Sequence, residues 1–378
     1  MALATASSLL GDQLLYAVLP SHYTALNLLP YQVGVLLSAN RWIRLLTNHV
    51  AERCCRHQAP ALLLTLALGL GSMLTMLYAV TSSFTLLLAG RILWGLCWSF
   101  IRQIGLMTVV DSVMKQQAAR WIGVYSSISR VGSLGGNLLG ALGHDYLGYG
   151  PTLVLFAVIS LCAVPLGPLS RRGLRPPKPR TKPHGQALRI DLGLLFCGFI
   201  VGCVGPGLIM STLGLVLTEK VGTELVVGSV VVGVATLTGL LLGCRWVAEL
   251  AGPVLGTAAD RVGRRWAAMG YFLSGGLALA VASQVEAAAL LVILVVLFFI
   301  CSTGATVALV ARAGLAGSRS VSRYVTAADL GSATGPLVGW MGPQFGFPAE
   351  TAFAVAAILF GAGAVSVLLA PSGTKAAS

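Results

Sequence analysis

The chain has 378 residues, 56% of them hydrophobic and only 10% charged, with a mean hydropathy of +0.85. An ordinary soluble domain carries about 25% charged residues, so a soluble globular protein is excluded. The formal charge of +13, from 25 basic and 12 acidic residues, would suggest a nucleic-acid partner in a soluble chain; in a membrane protein it points instead to basic cytoplasmic loops.

Apolar runs follow one another at roughly 5–24, 31–51, 60–80, 84–110, 120–143, 152–170, 191–217, 226–255, 265–284, 287–311, 321–342 and 350–371. Each fills a helix-length window, whereas a transmembrane barrel shows alternating segments of about ten residues. The expectation is an all-α membrane protein of twelve spans, too short in its connections for any large extramembrane domain. Between the sixth and seventh runs lies RRGLRPPKPRTKPHGQ (171–186), which is basic and too rich in proline to form a helix or enter lipid. It divides the chain into 1–170, a linker over 171–190, and 191–378.

Basic residues sort the loops. Arg53 and Arg56, Lys115 and Arg120, the linker, Arg261 with Arg264 and Arg265, and Arg312 with Arg319 all fall in connections leading from even to odd runs, and the opposite connections hold only Lys220. This asymmetry places the linker and both termini in the cytoplasm. The first run contains Asp12 and Gln13 and lacks a basic n-region, so it reads as a retained span and not a cleaved signal peptide.

The halves also repeat. Run 8 leads into GTAADRVGRR (256–265), and run 2 into a degraded copy, NHVAERCCRH (48–57); run 5 holds GSLGGNLLG (132–140), and run 11 holds GSATGPLVG (331–339). With its twelve spans, basic central linker and a G-x-x-x-D-R-x-G-R-R loop, the chain resembles the major facilitator superfamily. The span-4 stretch LLAGRILWG (87–95) follows that family's second motif, with Trp94 where glutamine is common. The resemblance implies two pseudo-symmetric six-helix bundles that rock about a central site. It also implies a cytoplasmic latch built from Gly256, Asp260, Arg261, Gly263, Arg264 and Arg265, with Glu52 and Arg53 as weaker first-half counterparts. Arg91 and Gly95 carry the span-4 motif; proton relay is proposed in the family for that arginine, and hydrogen bonding to backbone carbonyls is the structural alternative. The glycine rows resemble the span-5 pattern of drug-proton antiporters, although Asn137 stands where those carry proline. Tight helix packing is their structural alternative.

Charges inside spans are costly, about 2.5–3.5 kcal/mol each at the bilayer centre, and usually face a cavity or a partner. Aligning the repeats carries Arg41 onto Glu249 and Arg130 onto Asp329. In the family, spans 2 and 11 face each other, as do spans 5 and 8, so the resemblance implies Arg41–Asp329 and Arg130–Glu249 pairs near the midplane. Asp12 and Tyr16 share one face of span 1, and Asp12 resembles the acid that family antiporters use in proton coupling. Arg102 could contact an anion or pair with Asp12. GCVGPG (202–207) in span 7 reads as a helix break, a hinge or a packing kink.

No catalytic or metal-ligand spacing and no phosphate-binding loop is present, so neither an enzyme nor ATP drive is expected, and no cofactor or metal. The reading is a monomeric secondary transporter that moves a small organic solute by alternating access, with protons and the lipid bilayer as its other partners and no nucleic acid. Proton-coupled efflux is favoured, with uptake of an anionic or zwitterionic metabolite as the alternative and a non-transporting scaffold as a third reading. Five lysines against 20 arginines and short loops suggest a bacterial inner membrane.

Overall fold

Long apolar runs without water must satisfy their backbone internally, which leaves the helix as the open choice for this chain. The computed structural model of the protein describes residues 1–114, 117–174, 191–227 and 230–369. Of the linker expected over 171–190, residues 175–190 lie outside this set.

The described helices are α1 (Ala2–His22), α2 (Pro30–His57), α3 (Pro60–Val80), α4 (Phe84–Ser112), α5 (Ala118–Leu147), α6 (Tyr149–Ala163), the short α7 (Leu166–Leu169), α8 (Leu192–Gly202), α9 (Met210–Val221), α10 (Val234–Leu250), α11 (Gly252–Val262), α12 (Arg264–Gln284), α13 (Ala288–Leu315), α14 (Ser318–Gln344) and α15 (Thr351–Leu369). A π-helical segment, Cys203–Ile209, joins α8 to α9. Eight spans are long and apolar enough to cross a membrane, and α10 with α11 forms a ninth, bent by 55°. The other long helices, α2, α5 and α14, are the more polar ones and carry Arg41, Arg130 and Asp329. With these three, the described residues hold twelve long helical segments, consistent with the twelve spans expected.

Local sequence explains the boundaries. Pro30 and Pro60 open α2 and α3 at positions where a missing N–H costs nothing. Asp191 caps α8, its carboxylate accepting the Leu194 N–H at 3.0 Å. Gly263 ends α11 and starts α12 with φ at +97°, a conformation in which a side chain would be strained.

One apolar run was expected to be helical earlier than it is. The eighth run begins near 226, yet Glu224–Val227 and Val230–Gly233 form an antiparallel pair of strands, β1 and β2, in the register Leu225↔Val232 and Val227↔Val230. Consecutive valines favour the extended backbone. The helix starts only at Val234.

The described residues form two compact units, one from Met1–Gly185 with Leu213–Trp246 and the other from Gln186–Thr212 with Val247–Ser378. In the first, α1 packs on α5, α2 on α4, and α3 on α6. In the second, α14 packs on α8 and the π segment, α11 on α13, and α12 on α15. These are the same three pairings by position in the repeat, which is the internal symmetry that the paired motifs foretold.

The glycine rows make the first pairing in each unit. A Cβ on Gly132 would lie 2.5 Å from the Ala6 Cα, and one on Gly136 2.7 Å from the Leu10 carbonyl, both on α1. A Cβ on Gly331 would lie 2.8 Å from the Cys203 N, and one on Gly335 2.6 Å from the Leu208 N. Backbone meets backbone at these points, as small residues permit in helix pairs without a hydrophobic driving force.

Candidate functional site

Among the described residues, the most deeply buried charges meet inside the first unit. Asp12 on α1 is 7% exposed and Arg91 on α4 is 1% exposed, and Arg91 Nη1 donates to Asp12 Oδ1 in an ion pair. A charge taken out of water persists only with a partner and with its remaining polar groups satisfied. The surroundings meet that requirement: Arg91 Nε donates to the Leu36 carbonyl at 3.0 Å, and Arg91 Nη2 to the Tyr16 hydroxyl at 3.3 Å. The Asn40 amide donates to Asp12 Oδ1 at 3.3 Å, and the Gln13 amide to Asp12 Oδ2 at 3.2 Å. Tyr16 in turn donates to the Leu37 carbonyl at 3.1 Å.

Two glycines let these helices approach. A Cβ on Gly95 would lie 2.5 Å from the Asn40 carbonyl and 3.0 Å from its Cα, and one on Gly11 would lie 2.7 Å from the Thr75 hydroxyl. The span-4 glycine therefore brings α2 against α4 at the residue that hydrogen-bonds Asp12. Next to Asn40, the buried Arg41 places its guanidinium 4.9 Å from the centre of the Tyr16 ring, and Arg91 lies 5.6 Å from the same ring. The aromatic face shares its negative quadrupole with two cations.

Asp12, Tyr16 and Arg41 thus come together, with Arg91 from the span-4 motif as the ionic partner. Of the two roles weighed for Arg91, hydrogen bonding to a backbone carbonyl is the one seen in the geometry, alongside the ion pair with Asp12. Of the two weighed for Arg102, pairing with Asp12 is not what the structure shows; Arg102 lies farther along α4, within electrostatic range of Tyr125 on α5. Asn40 and Gln13 were not singled out from sequence. The available signal was their polarity inside apolar runs, next to Arg41 and Asp12.

Arg130 is on α5, Glu249 on α10 and Asp329 on α14, and none of the three, nor Arg41, is without an interacting partner. Glu52 and Arg53 are exposed on α2. In the second unit, Arg264 Nε donates to Asp260 Oδ1 at 2.7 Å and its Nη1 to the Ala311 carbonyl near the end of α13 at 3.3 Å. Arg265 Nε donates to the Val367 carbonyl at 3.2 Å, and its Nη2 to the Leu368 carbonyl. These arginines satisfy carbonyls at helix C-termini, where cations are favoured. Arg261 is exposed, and a Cβ on Gly256 would lie 3.2 Å from Val307, close against α13. Two acids near helix ends have local roles: Asp111 pairs with Arg171 at 3.3 Å, and Asp191, besides capping α8, pairs with Arg312 at 3.3 Å.

The GCVGPG stretch of span 7 does not end the helix. It widens it into the π-helical segment, where Pro206 removes one backbone donor and Gly207 lies against Gly335. All of it except Pro206 is buried.

The family model of the Major Facilitator Superfamily matches residues 1–251. In structure, the chain is similar to a bacterial homologue of the human lysosomal transporter Spinster in an inward-facing and occupied conformation, with a TM-score of 0.80 at 14% identity over 98% of this chain and 95% of that one. It is also similar to the nucleoside transporter NupG, with a TM-score of 0.74 at 11% identity over 97% of each chain. No curated protein sequence matches it. At such identities the structural likeness establishes the fold, while the family match covers well over half of the sequence. The chain is therefore a member of the major facilitator superfamily, an integral membrane transporter of small molecules and not an enzyme.

Proposed function

We propose that the protein is a proton-coupled secondary transporter that exports a small organic solute. The observation that carries this reading is the Asp12–Arg91 pair, buried together with Asn40, Gln13 and Tyr16. A carboxylate held by one guanidinium and two amides has two stable conditions. Ionised, it anchors Arg91; protonated, it releases Arg91 to the Tyr16 hydroxyl and the Leu36 carbonyl, which already accept from it or lie within reach. Such a site converts one proton into a rearrangement among α1, α2 and α4. Glu249 and Asp329 are the further candidates for the same role in the second half of the sequence.

In this reading the sequence halves 1–170 and 191–378, joined by 171–190, alternate their opening, and Arg41–Asp329 and Arg130–Glu249 are the charge pairs that hold or free them. Asp260, Arg261, Arg264 and Arg265 form the latch. The protein works as a monomer in a bacterial inner membrane with both termini in the cytoplasm. Export is supported by the likeness of the glycine rows to antiporter sequences. Uptake of an anionic metabolite is the second reading, favoured by Arg41, a buried cation whose guanidinium lies against the Tyr16 face.

The test has two stages. Comparing the small-molecule content of cells with and without the protein identifies the solute, and proteoliposomes then measure its flux under an imposed pH gradient. Flux that follows the gradient in the wild type and loses that dependence in Asp12→Asn supports the proposal. Flux indifferent to the gradient, or gradient-driven flux preserved in Asp12→Asn, overturns it.

A further inference from the structure

A second group of titratable side chains occupies the end of the first unit remote from Met1. His22 closes α1, His144 lies in the last turn of α5, and Tyr149 opens α6. The His22 ring stacks on Tyr149, with centroids 5.1 Å and planes 26° apart, and meets His144 nearly edge-on at 4.8 Å. Both imidazoles are only half-buried, whereas Tyr149 is buried. Neither the Tyr149 hydroxyl nor His144 Nδ1 has a hydrogen-bond partner among the described residues.

On the neighbouring α3, Tyr78 is 2% exposed, and its hydroxyl, close to the Arg91 guanidinium, makes no hydrogen bond of regular geometry. The Tyr78 ring lies against Gly90, the residue before Arg91: a Cβ there would be 2.7 Å from the ring and 3.4 Å from the hydroxyl. Helices α3 and α6 pack together, and a Cβ on Gly150 would lie 3.3 Å from the Ala79 carbonyl, so residues next to both tyrosines meet at one contact. Both phenols are in electrostatic range of Arg91, and Tyr78 is in range of Asp12 and Tyr149 as well.

A buried hydroxyl without a regular hydrogen bond costs about 1–3 kcal/mol, and phenylalanine would fill either space without that cost. Two such hydroxyls in succession, between imidazoles that reach solvent and a buried carboxylate, form an ordered series from wet to dry. We propose that His22, His144, Tyr149 and Tyr78 form a proton route that connects this end of the protein to Asp12. The proposal rests on Asp12 being the coupling carboxylate.

Along this route a proton from solvent adds to an imidazole nitrogen, and the ring gives up a proton from its other nitrogen. Each phenol oxygen takes one proton as its own leaves for the next acceptor, so no phenolate forms, and intervening water carries the proton where rings do not touch. At the end Asp12 gains the proton and Arg91 is freed. Three other titratable groups border the entrance: Asp145, next to His144 in the chain, and Tyr23, which is in range of Glu219 on α9. The Asp145 carboxylate is engaged with Thr236, accepting from its N at 2.9 Å and its hydroxyl at 2.5 Å.

The test uses the full-length protein in liposomes, a laser-released caged proton as the probe, and the infrared carbonyl stretch of a protonated carboxylic acid as the readout. Asp12→Asn identifies the Asp12 signal by removing it. Tyr78→Phe, Tyr149→Phe and the double variant His22→Gln with His144→Gln are expected to keep its amplitude and slow its appearance about a hundredfold, the scale of a positioned proton-transfer group. Full amplitude at the wild-type rate in all three variants would overturn the route while leaving Asp12 in its role. A wild-type protein with no Asp12-dependent signal overturns the coupling reading itself, and the route with it.

Discussion

Asp12 and Arg91, 79 positions apart in the chain, share an ion pair that neither could sustain alone at its depth. Truncating one partner strands the other, at a cost of about 3–5 kcal/mol, whereas replacing both with apolar residues of similar volume can be neutral or stabilising. Arg91→Met is therefore expected to lower the thermal midpoint sharply, and Arg91→Met with Asp12→Leu to recover most of it while transport stays lost. Unfolding in detergent followed by tryptophan fluorescence checks the first part, and flux in proteoliposomes the second. Equal destabilisation of the single and double variants would show that the pair contributes no coupling energy.

The carboxylate of Asp145 sits on the first turn of α10, where a helix N-terminus favours an anion. Asp145→Ala should cost about 1 kcal/mol, the value of a cap, and raise hydrogen exchange over 234–238 more than elsewhere. Gly233→Ala should do the same from the other side, because its Cβ would come within 2.8 Å of Asp145 Oδ1, with Oδ2 and Cγ closer still. Unchanged exchange over that turn in both variants would remove the cap from the account.

Glycines separate into two kinds. Gly335→Leu would push α14 off the π segment, since even a Cβ meets backbone atoms there, and the protein should fail to accumulate in a folded form. Gly69→Ala and Gly270→Ala meet nothing within 4 Å and should stabilise by about 0.5–1 kcal/mol through reduced backbone entropy. Thermal midpoints of the purified variants read both effects.

The Asp260–Arg264 bridge is exposed, its side chains 59% and 32% accessible, and such pairs contribute about 0–1 kcal/mol. Asp260→Asn should leave the thermal midpoint nearly unchanged. If the loop is a latch, the same variant loses transport; a variant that transports normally reduces Asp260 to a surface partner of Arg264.

How far these features were readable follows from the kind of signal each residue carries. The helical segments and the repeat of the two halves lie in hydropathy and in repeated motifs, which are local and survive in the order of the letters. The meeting of Asp12, Tyr16 and Arg41 was half visible, because spacing puts Asp12 and Tyr16 on one face of α1, but α2 and α4 join them through the fold. The sequence offered Arg102 as a partner for Asp12, and the fold brings Arg91 to it instead, 11 residues earlier on α4 and near the point where Gly95 seats Asn40. The valines after Glu224 misled for the opposite reason, since apolarity alone does not distinguish a strand from a helix. Asp111 and Asp191 carry no sequence signal for their pairs, because their partners, Arg171 and Arg312, lie far along the chain.

The π-helical segment has a consequence for the helix that follows it. Its last residue, Ile209, lies just before the point at which the chain passes from one compact unit to the other, between Thr212 and Leu213. Each residue added to or taken from a helical turn swings everything downstream by about 100°. A wide turn at Cys203–Ile209 is thus a place where the azimuth of α9 can be reset by redistributing a single residue, with no hydrogen-bonded turn melted and no change in chain length.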